Sequence, residues 1–486
     1  MQTLNLLLEQ LSTAYLGGIP VDRVATVVAV LMSYGMAHLF RLIPAKHPYT
    51  KHMFSILATA FLFGAVQEQT VGLTHLTAGS LGLYLIMLAL ESSHLMPYVV
   101  FVVAMLHMSY SQIRRQLSES SGQVVFDYTG AQMIFVIKVT SLAFCISDGK
   151  KNVGELSEYQ KRNAIEGVPS LTEYLGYVFF FPGFAVGPAF EMATYRRMIC
   201  FEGTPFVWSR LNIKAYKTLL VGLFWMVVYV LYANEYTFKY MVTPSFAQMG
   251  FVHKAVYLCL SGMVTRAAYY TAWKMSEGAC ALAGLGYDGI DENGELRWTD
   301  ISNVHIMSVE FGSSIKELID SWNIGTNTWL RHHVYLRIAT PGKGSSFKAT
   351  VLTFLVSAWW HGFYPGYYLT FFLGSLASNA ARTMRRTLHR PVVEAAAVHG
   401  PLVKRAYDVA GWMLSMYTLD FVAVPFMVLE FMPSLQAWQN NYFVLPIGLV
   451  LVHVLFNVVR IGRFIPTNNS HDAKRCGGGK ISLKQS

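Results

Sequence analysis

The chain has 486 residues, of which 53% are hydrophobic and 14% aromatic, while only 14% are charged, against roughly 25% in an average soluble domain. With a mean hydropathy of +0.37 and its apolar residues gathered in long blocks, it reads as a polytopic membrane protein and not as a soluble domain. The formal charge of +10 does not point to nucleic acid, because Lys and Arg sit mainly between apolar blocks, where they mark cytoplasmic loops and anionic head groups.

About 20 apolar residues are needed to cross a bilayer as a helix. Taken in chain order, the stretches that approach this run from Val24 to Ile43, Met53 to Val66, Val71 to Leu90, Leu95 to Met108, Gly130 to Ile146 and Thr172 to Phe190. They continue with Tyr216 to Tyr232, Phe251 to Trp273, Ala349 to Leu373, Val409 to Met432 and Phe443 to Val459. About eleven spans are therefore expected. Ile301 to Phe311 is apolar but too short, and reads as re-entrant or as a helix buried in protein. The N-terminus lacks a basic region followed by a short apolar core and a small-residue cleavage site, so no cleaved signal is expected and the first spans serve for insertion.

Four hydrophilic connections are basic or polar. They are Ser147 to Val168, Tyr195 to Lys217, Arg331 to Lys348 around Pro341-Gly342, and Arg382 to Arg405. The positive-inside rule places them in the cytosol. Single simple spans cannot join them all to one another, so re-entrant pieces are expected. Five scattered cysteines without any C-x-x-C imply neither a disulfide framework nor a zinc site. There is no internal repeat and no soluble domain. Residues 1–486 read as one transmembrane domain ending in a polar tail over 467–486.

Two stretches carry chemistry. In Ser357-Ala358-Trp359-Trp360-His361-Gly362-Phe363-Tyr364-Pro365-Gly366-Tyr367-Tyr368 one histidine interrupts an apolar, aromatic run. A titratable ring at that depth costs free energy unless something uses it. Gly362 and Gly366 allow another backbone or a ligand to approach closely. Trp359, Trp360, Phe363, Tyr364, Tyr367 and Tyr368 offer a rigid wall with polar tips, and a histidine there can act as a general base near neutral pH. Upstream lies Ser321-Trp322-Asn323-Ile324-Gly325-Thr326-Asn327-Thr328-Trp329. Asn323 and Asn327 are spaced i and i+4, as on one helix face. Asn323 either satisfies helix ends or interhelical contacts, or orients His361 or donates to a developing oxyanion.

Among the remaining polar residues, Asp127 and Lys138 border or enter an apolar span and are expected to pair or to face a cavity. Glu191 and Glu277 either line a substrate path or cap helices. Arg382, Arg385, Arg386 and His389 share a helical face that suits lipid head groups, and Cys280 and the other cysteines are packing residues.

Several of these blocks together resemble the membrane-bound O-acyltransferase family, and within it the lysophospholipid acyltransferase branch. They are Trp360-His361-Gly362 with Tyr364-Pro365-Gly366-Tyr367-Tyr368, and Trp322-Asn323 with Thr326-Asn327 and Trp329. Phe126-Asp127-Tyr128-Thr129-Gly130-Ala131-Gln132-Met133, Phe181-Pro182-Gly183 through Val186-Gly187-Pro188, and Ser276-Glu277-Gly278-Ala279 with Gly284-Leu285-Gly286-Tyr287 agree as well. Leu318-Ile319-Asp320-Ser321-Trp322-Asn323 departs from the F-Y-x-D-W-W-N pattern of the sterol and diacylglycerol enzymes and fits the lysophospholipid ones.

The resemblance implies an all-α fold of about eleven transmembrane helices with re-entrant helices around a central intramembrane reaction chamber. It also implies transfer of an acyl group from acyl-CoA to the glycerol hydroxyl of a lysophospholipid in the endoplasmic reticulum membrane. The family's invariant histidine maps onto His361 and its asparagine onto Asn323. Acyl-CoA enters as a co-substrate from the cytosol and the lipid laterally, with no resident cofactor, no metal and no nucleic acid. Trp322, Asn327, Trp329, Trp360, Tyr364, Tyr367, Tyr368 and Glu277 are the expected substrate contacts. Arg331, Arg337 and Lys348 are the first choices for the phosphates of CoA. The alternatives are a sterol, diacylglycerol or peptide acceptor, or a polytopic transporter, which would call for repeated halves.

Overall fold

The computed structural model describes residues 2–15, 20–120, 127–293, 296–298, 301–339 and 347–459. The polar tail over 467–486, Phe126, and the Pro341-Gly342 turn with Lys343 lie outside the described residues. The chain is almost wholly helical. Its main helices are α1 (Val21–Arg41), α2 (Thr70–Ala89), α3 (Met96–Ser120), α4 (Thr129–Asp148), α5 (Pro205–Tyr232), α6 (Phe251–Leu282), α7 (Ile324–Trp329), α8 (Phe347–His361), α9 (Pro365–His399) and α10 (Pro401–Val428). A two-stranded antiparallel hairpin, Tyr287–Ile290 with Leu296–Trp298, is the one small sheet among the described residues.

Among the described residues, six helices are long and apolar enough to cross a membrane: α1, α2, α3, α4, α5 and α10. A seventh is added if Phe431–Asn440 and Val444–Val458, bent by 78°, form one broken span. This is fewer than the eleven apolar stretches, and the shortfall has local causes. Thr172 to Phe190 becomes a helix only over Leu171–Val178, because Pro182 and Pro188 cannot continue one. Met53 to Val66 divides into Pro48–Thr59 and the π-helical turn Ala60–Val66. Ala349 to Leu373 is cut after His361, where Gly362 takes φ +126° and Pro365 opens the next helix at its first turn, a position that tolerates proline because its N–H has no partner there. In Ile301 to Phe311 the first residues are buried, whereas Met307 and Phe311 are exposed.

Helix α4 is apolar on every face, as a helix enclosed by protein should be, and 83% of its most apolar window is buried. It packs along α3, and most of its side chains belong to the main core. By contrast, α5 keeps Leu220, Phe224, Val227 and Leu231 exposed and leans on α6, as befits a lipid-facing helix.

Buried cations of the described residues find carbonyl, ring or carboxylate partners. Lys138 of α4 donates to the carbonyls of Tyr177 and Val178 and lies over the Tyr177 and Phe190 rings. Arg115 binds Asp127 at 2.7 Å. Arg266 of α6 grips Glu310 through Nε and Nη2 at 2.8 and 2.9 Å and also pairs with Asp420 of α10. Tyr270 and Trp412 complete that cluster by donating to Glu310. Two of the basic connections meet, since Arg162 and Arg197 both reach Asp288.

Candidate functional site

Helix α4 serves as a ruler for the site. The Trp360 indole donates to the carbonyl of Met133, Trp329 donates to Thr140 Oγ1 at 2.9 Å, and the Arg337 guanidinium grips Asp148 at the end of the helix. At about 1.5 Å per residue, Met133 and Asp148 are about 22 Å apart along the axis. The His361 end of α8 therefore lies toward the Thr129 end of α4, far from Arg337 and Asp148.

His361 is the last residue of α8, and Gly362 N–H closes the helix on Ala358 and Trp359. The ring lies among Trp360 (4.7 Å between centroids), Tyr367 (5.7 Å), Phe371 (5.3 Å, stacked) and Phe426 (4.9 Å, edge-on). No described residue hydrogen-bonds its nitrogens, and the side chain is only half-buried. Gln112 Nε2 donates to the Trp360 carbonyl at 2.9 Å and steadies the helix end. A Cβ on Gly366 would lie 2.0 Å from the Pro425 carbonyl oxygen, so this glycine permits the close backbone approach that brings α10, and with it Phe426, against the histidine.

Of the six neighbouring aromatics expected around His361, Trp360 and Tyr367 contact it. Trp359 turns away to donate to Ser109, Tyr364 donates to Glu119, Phe363 is exposed, and Tyr368 makes no ring contact with His361. Phe426 comes from a distant helix, and periodicity around the histidine carries no sign of it.

Asn323 is not on a helix face with Asn327. It is the N-cap of α7, in the left-handed region at φ 45° and ψ 52°, a conformation asparagine tolerates better than most residues. Its own carbonyl accepts from Asn327 N. The Asn327 side chain donates instead to the Ile319 carbonyl at 3.1 Å, closing the preceding helix. Asn323 Oδ1 accepts from Thr326 Oγ1 (2.9 Å) and Asn303 Nδ2 (3.3 Å). The strip around Asn303 runs antiparallel to it: Val304 bridges Trp322, His305 N–H donates to Ser321, and Ile324 N–H donates to Asn303. Asn303, buried in a short polar loop, was not anticipated, since nothing in its local pattern distinguishes it.

Glu277 lies behind this strip and not in an open space. It pairs with Lys274 at 2.7 Å and accepts from Ser302 Oγ at 2.8 Å. Trp322 is half-buried against Tyr269, Tyr270 and Trp273. Trp329 is fully buried, between Phe101 and Trp360, so it joins the two motifs as packing. The helix Ile315–Ser321, which leads into Trp322, packs on α9, which carries Tyr367. Arg337 is committed to Asp148, whose side chain is 2% exposed, and so differs from Arg331 and Lys348, which are exposed.

A second polar cluster lies near the Asp148 end of α4. Glu191 accepts from Tyr159 OH at 2.7 Å and lies 3.4 Å from His333 Nε2 and 3.6 Å from Cys145 Sγ. By residue type Cys145, Glu191 and His333 could hold a metal, their ligand atoms being within 4.8 Å of one another. However, His333 Nδ1 is buried with no acceptor, whereas a ligating imidazole ordinarily donates its other N–H to a fixed partner. The cluster fits a hydrogen-bonded carboxylate better. Burial, and then Glu191, push the Tyr159 hydroxyl far above its ordinary range, so it remains a donor to that carboxylate.

The chain is similar to known proteins over most of its length. The chain is 33% identical over 453 residues to a lysophospholipid acyltransferase of Schizosaccharomyces pombe, covering 90% of this chain and 87% of that protein. It is 31% identical over 462 residues to a lysophospholipid acyltransferase of Saccharomyces cerevisiae, covering 88% and 73%. It is also 31% identical to human membrane-bound glycerophospholipid O-acyltransferase 2, covering 99% and 93%. The model of the MBOAT, membrane-bound O-acyltransferase family matches residues 87–422, a span that contains Asn303, Asn323, His361 and the core of α4. The chain belongs to the membrane-bound O-acyltransferase family.

Proposed function

We propose that the protein is an acyl-CoA-dependent lysophospholipid acyltransferase of the endoplasmic reticulum membrane, with His361 as general base and Asn323 as oxyanion donor. The observation that carries this reading is the state of His361. Its two ring nitrogens have no partner among the described residues, although four aromatic rings pack around it. On this half-buried imidazole the ring faces are packed by aromatic side chains while the nitrogens stay unclaimed, which leaves a lone pair open to a reacting hydroxyl. The names of the relatives supply the acceptor class.

In the reaction, His361 takes the proton of the lysophospholipid hydroxyl as its oxygen attacks the thioester carbonyl. The C–O bond forms and the carbonyl electrons move onto oxygen, where the Asn323 amide N–H₂ meets them. Collapse breaks the C–S bond, and the departing thiolate takes the proton from His361 as free CoA. A thioester is already activated, so the step needs no resident cofactor. Arg331, in the helical turn after α7, and Lys348, at the start of α8, are exposed and suit the phosphates of CoA. The long distance along α4 from its Asp148 end to His361 matches a donor whose thioester sits at the tip of an extended arm. Trp322, Tyr367 and Trp360 would line the space between.

The test is acylation by purified protein of lysophospholipids bearing choline, ethanolamine, serine and inositol head groups, with one unsaturated acyl-CoA. At least one diacyl product should form, with one CoA released per ester. Acylation of a sterol, diacylglycerol or peptide with no lysophospholipid used would overturn the acceptor assignment.

A further inference from the structure

We infer that Asn303 is a positioning residue that fixes which face of the Asn323 amide points at the reacting carbonyl. The inference rests on the role of Asn323 proposed above. An amide side chain has an acceptor end and a donor end of the same shape, and only its hydrogen-bond network decides which is which. Here the network has an unambiguous origin. The backbone N–H of Gly325 can only donate, and it donates to the Asn303 side chain at 3.0 Å. That atom must therefore be Asn303 Oδ1. The other end of Asn303 is then Nδ2, which lies 3.3 Å from the Asn323 side chain. A donor there requires Asn323 Oδ1, the same atom that accepts from Thr326 Oγ1 at 2.9 Å. Asn323 Nδ2 is left with no described partner, as the single donor end able to meet an oxyanion.

The surroundings hold this relay still. Asn303 is 4% exposed, and its own carbonyl accepts from Ile324 N–H. Ser302 beside it touches Glu277 and Lys274. A Cβ on Gly325 would come within 3.1 Å of Asn303 Oδ1, so the glycine keeps the first bond of the relay short. Two successive donors, the first of them main-chain, with Thr326 Oγ1 beside them, thus aim a single amide.

The test contrasts two substitutions. Asn303→Asp is nearly isosteric and keeps the acceptor for Gly325, but it removes the donor. Asn323 can then satisfy the new carboxylate only by turning its N–H₂ toward it, which presents its oxygen to the substrate. Asn303→Ala removes more contacts, yet leaves Thr326 holding Asn323 Oδ1. Turnover per folded molecule in detergent should therefore fall further in Asn303→Asp, by about 10² as for loss of one oxyanion donor, than in Asn303→Ala. KM for acyl-CoA should hold in both variants. In an Asn323→Ala background, Asn303→Asp should cost little more, because the residues act as one unit.

A residue that only supports the loop would give the reverse order, Asn303→Ala being worse, and that result overturns the inference. So does a further large loss in the Asn323→Ala background. Should Asn303→Asp not accumulate, full turnover loss in folded Asn303→Ala has the same consequence. If His361→Ala and Asn323→Ala themselves keep normal turnover, it is the site assignment that fails. If they lose it while Asn303→Asp keeps normal kcat, only the relay fails.

Discussion

Asn323 and His361 are held in different ways. Asn323 sits in a non-helical segment, in a left-handed conformation, tied by hydrogen bonds to Asn303, Thr326 and a short antiparallel strip. His361 ends a regular helix and is held by ring packing from α9 and α10, its ring nitrogens having no partner among the described residues. The difference follows from the work proposed for each. A donor to an oxyanion must have its direction set beforehand, since preorganisation is what makes it effective. A base must leave its lone pair open to the substrate, so the protein can grip it only by its apolar faces. The costs differ too: polar anchoring needs every partner satisfied, whereas ring packing needs volume filled.

The largest test of this contrast removes each group in turn. His361→Ala should lower turnover per folded molecule by about 10² to 10⁴, and Asn323→Ala by about 10² to 10³, with acyl-CoA binding retained on the same samples. The double variant should be little worse than His361→Ala alone. Near-normal turnover in His361→Ala would remove the base from the mechanism and the reason for the contrast.

A smaller effect is expected where polar anchoring has a purely structural task. Arg337→Ala leaves Asp148 buried with Lys151 as its remaining partner. Breaking a buried pair costs about 3 to 5 kcal/mol, which thermal unfolding in detergent would show as a clear fall in Tm. KM for acyl-CoA per folded molecule should stay unchanged. A rise in KM without a loss of stability would return Arg337 to the phosphates of CoA.

The smallest effect is expected on the ring side. Trp360→Phe keeps an aromatic face against His361 and Trp329 but loses the 3.1 Å hydrogen bond to Met133. A cost of about 1 kcal/mol in stability is expected, with turnover within a few-fold of the parent protein. Loss of turnover as large as that of Asn323→Ala would show that the histidine depends on hydrogen-bonded support after all, and the contrast would collapse.

Local sequence determined much of this protein. Hydropathy is a local sum, so the membrane class and most long helices follow from it. Gly362 and Pro365 are local breakers, so the helix end at His361 has a local cause, although hydropathy alone runs a single span from Ala349 to Leu373 through it. The motif residues Asn323 and His361 are likewise named by their blocks. What the tertiary structure decided is partnership. Thr172 to Phe190 is apolar enough to suggest a span, yet it folds as a short helix and turns. Arg337 looks like an open charge until Asp148 comes within reach from α4, and Asn327 looks like a partner of Asn323 until its amide is seen closing the preceding helix. Phe426 and Asn303 have no local mark at all. A side chain's partner is chosen across the fold, by which buried groups must satisfy one another once the helices pack, and that choice is not written in the spacing of neighbouring residues.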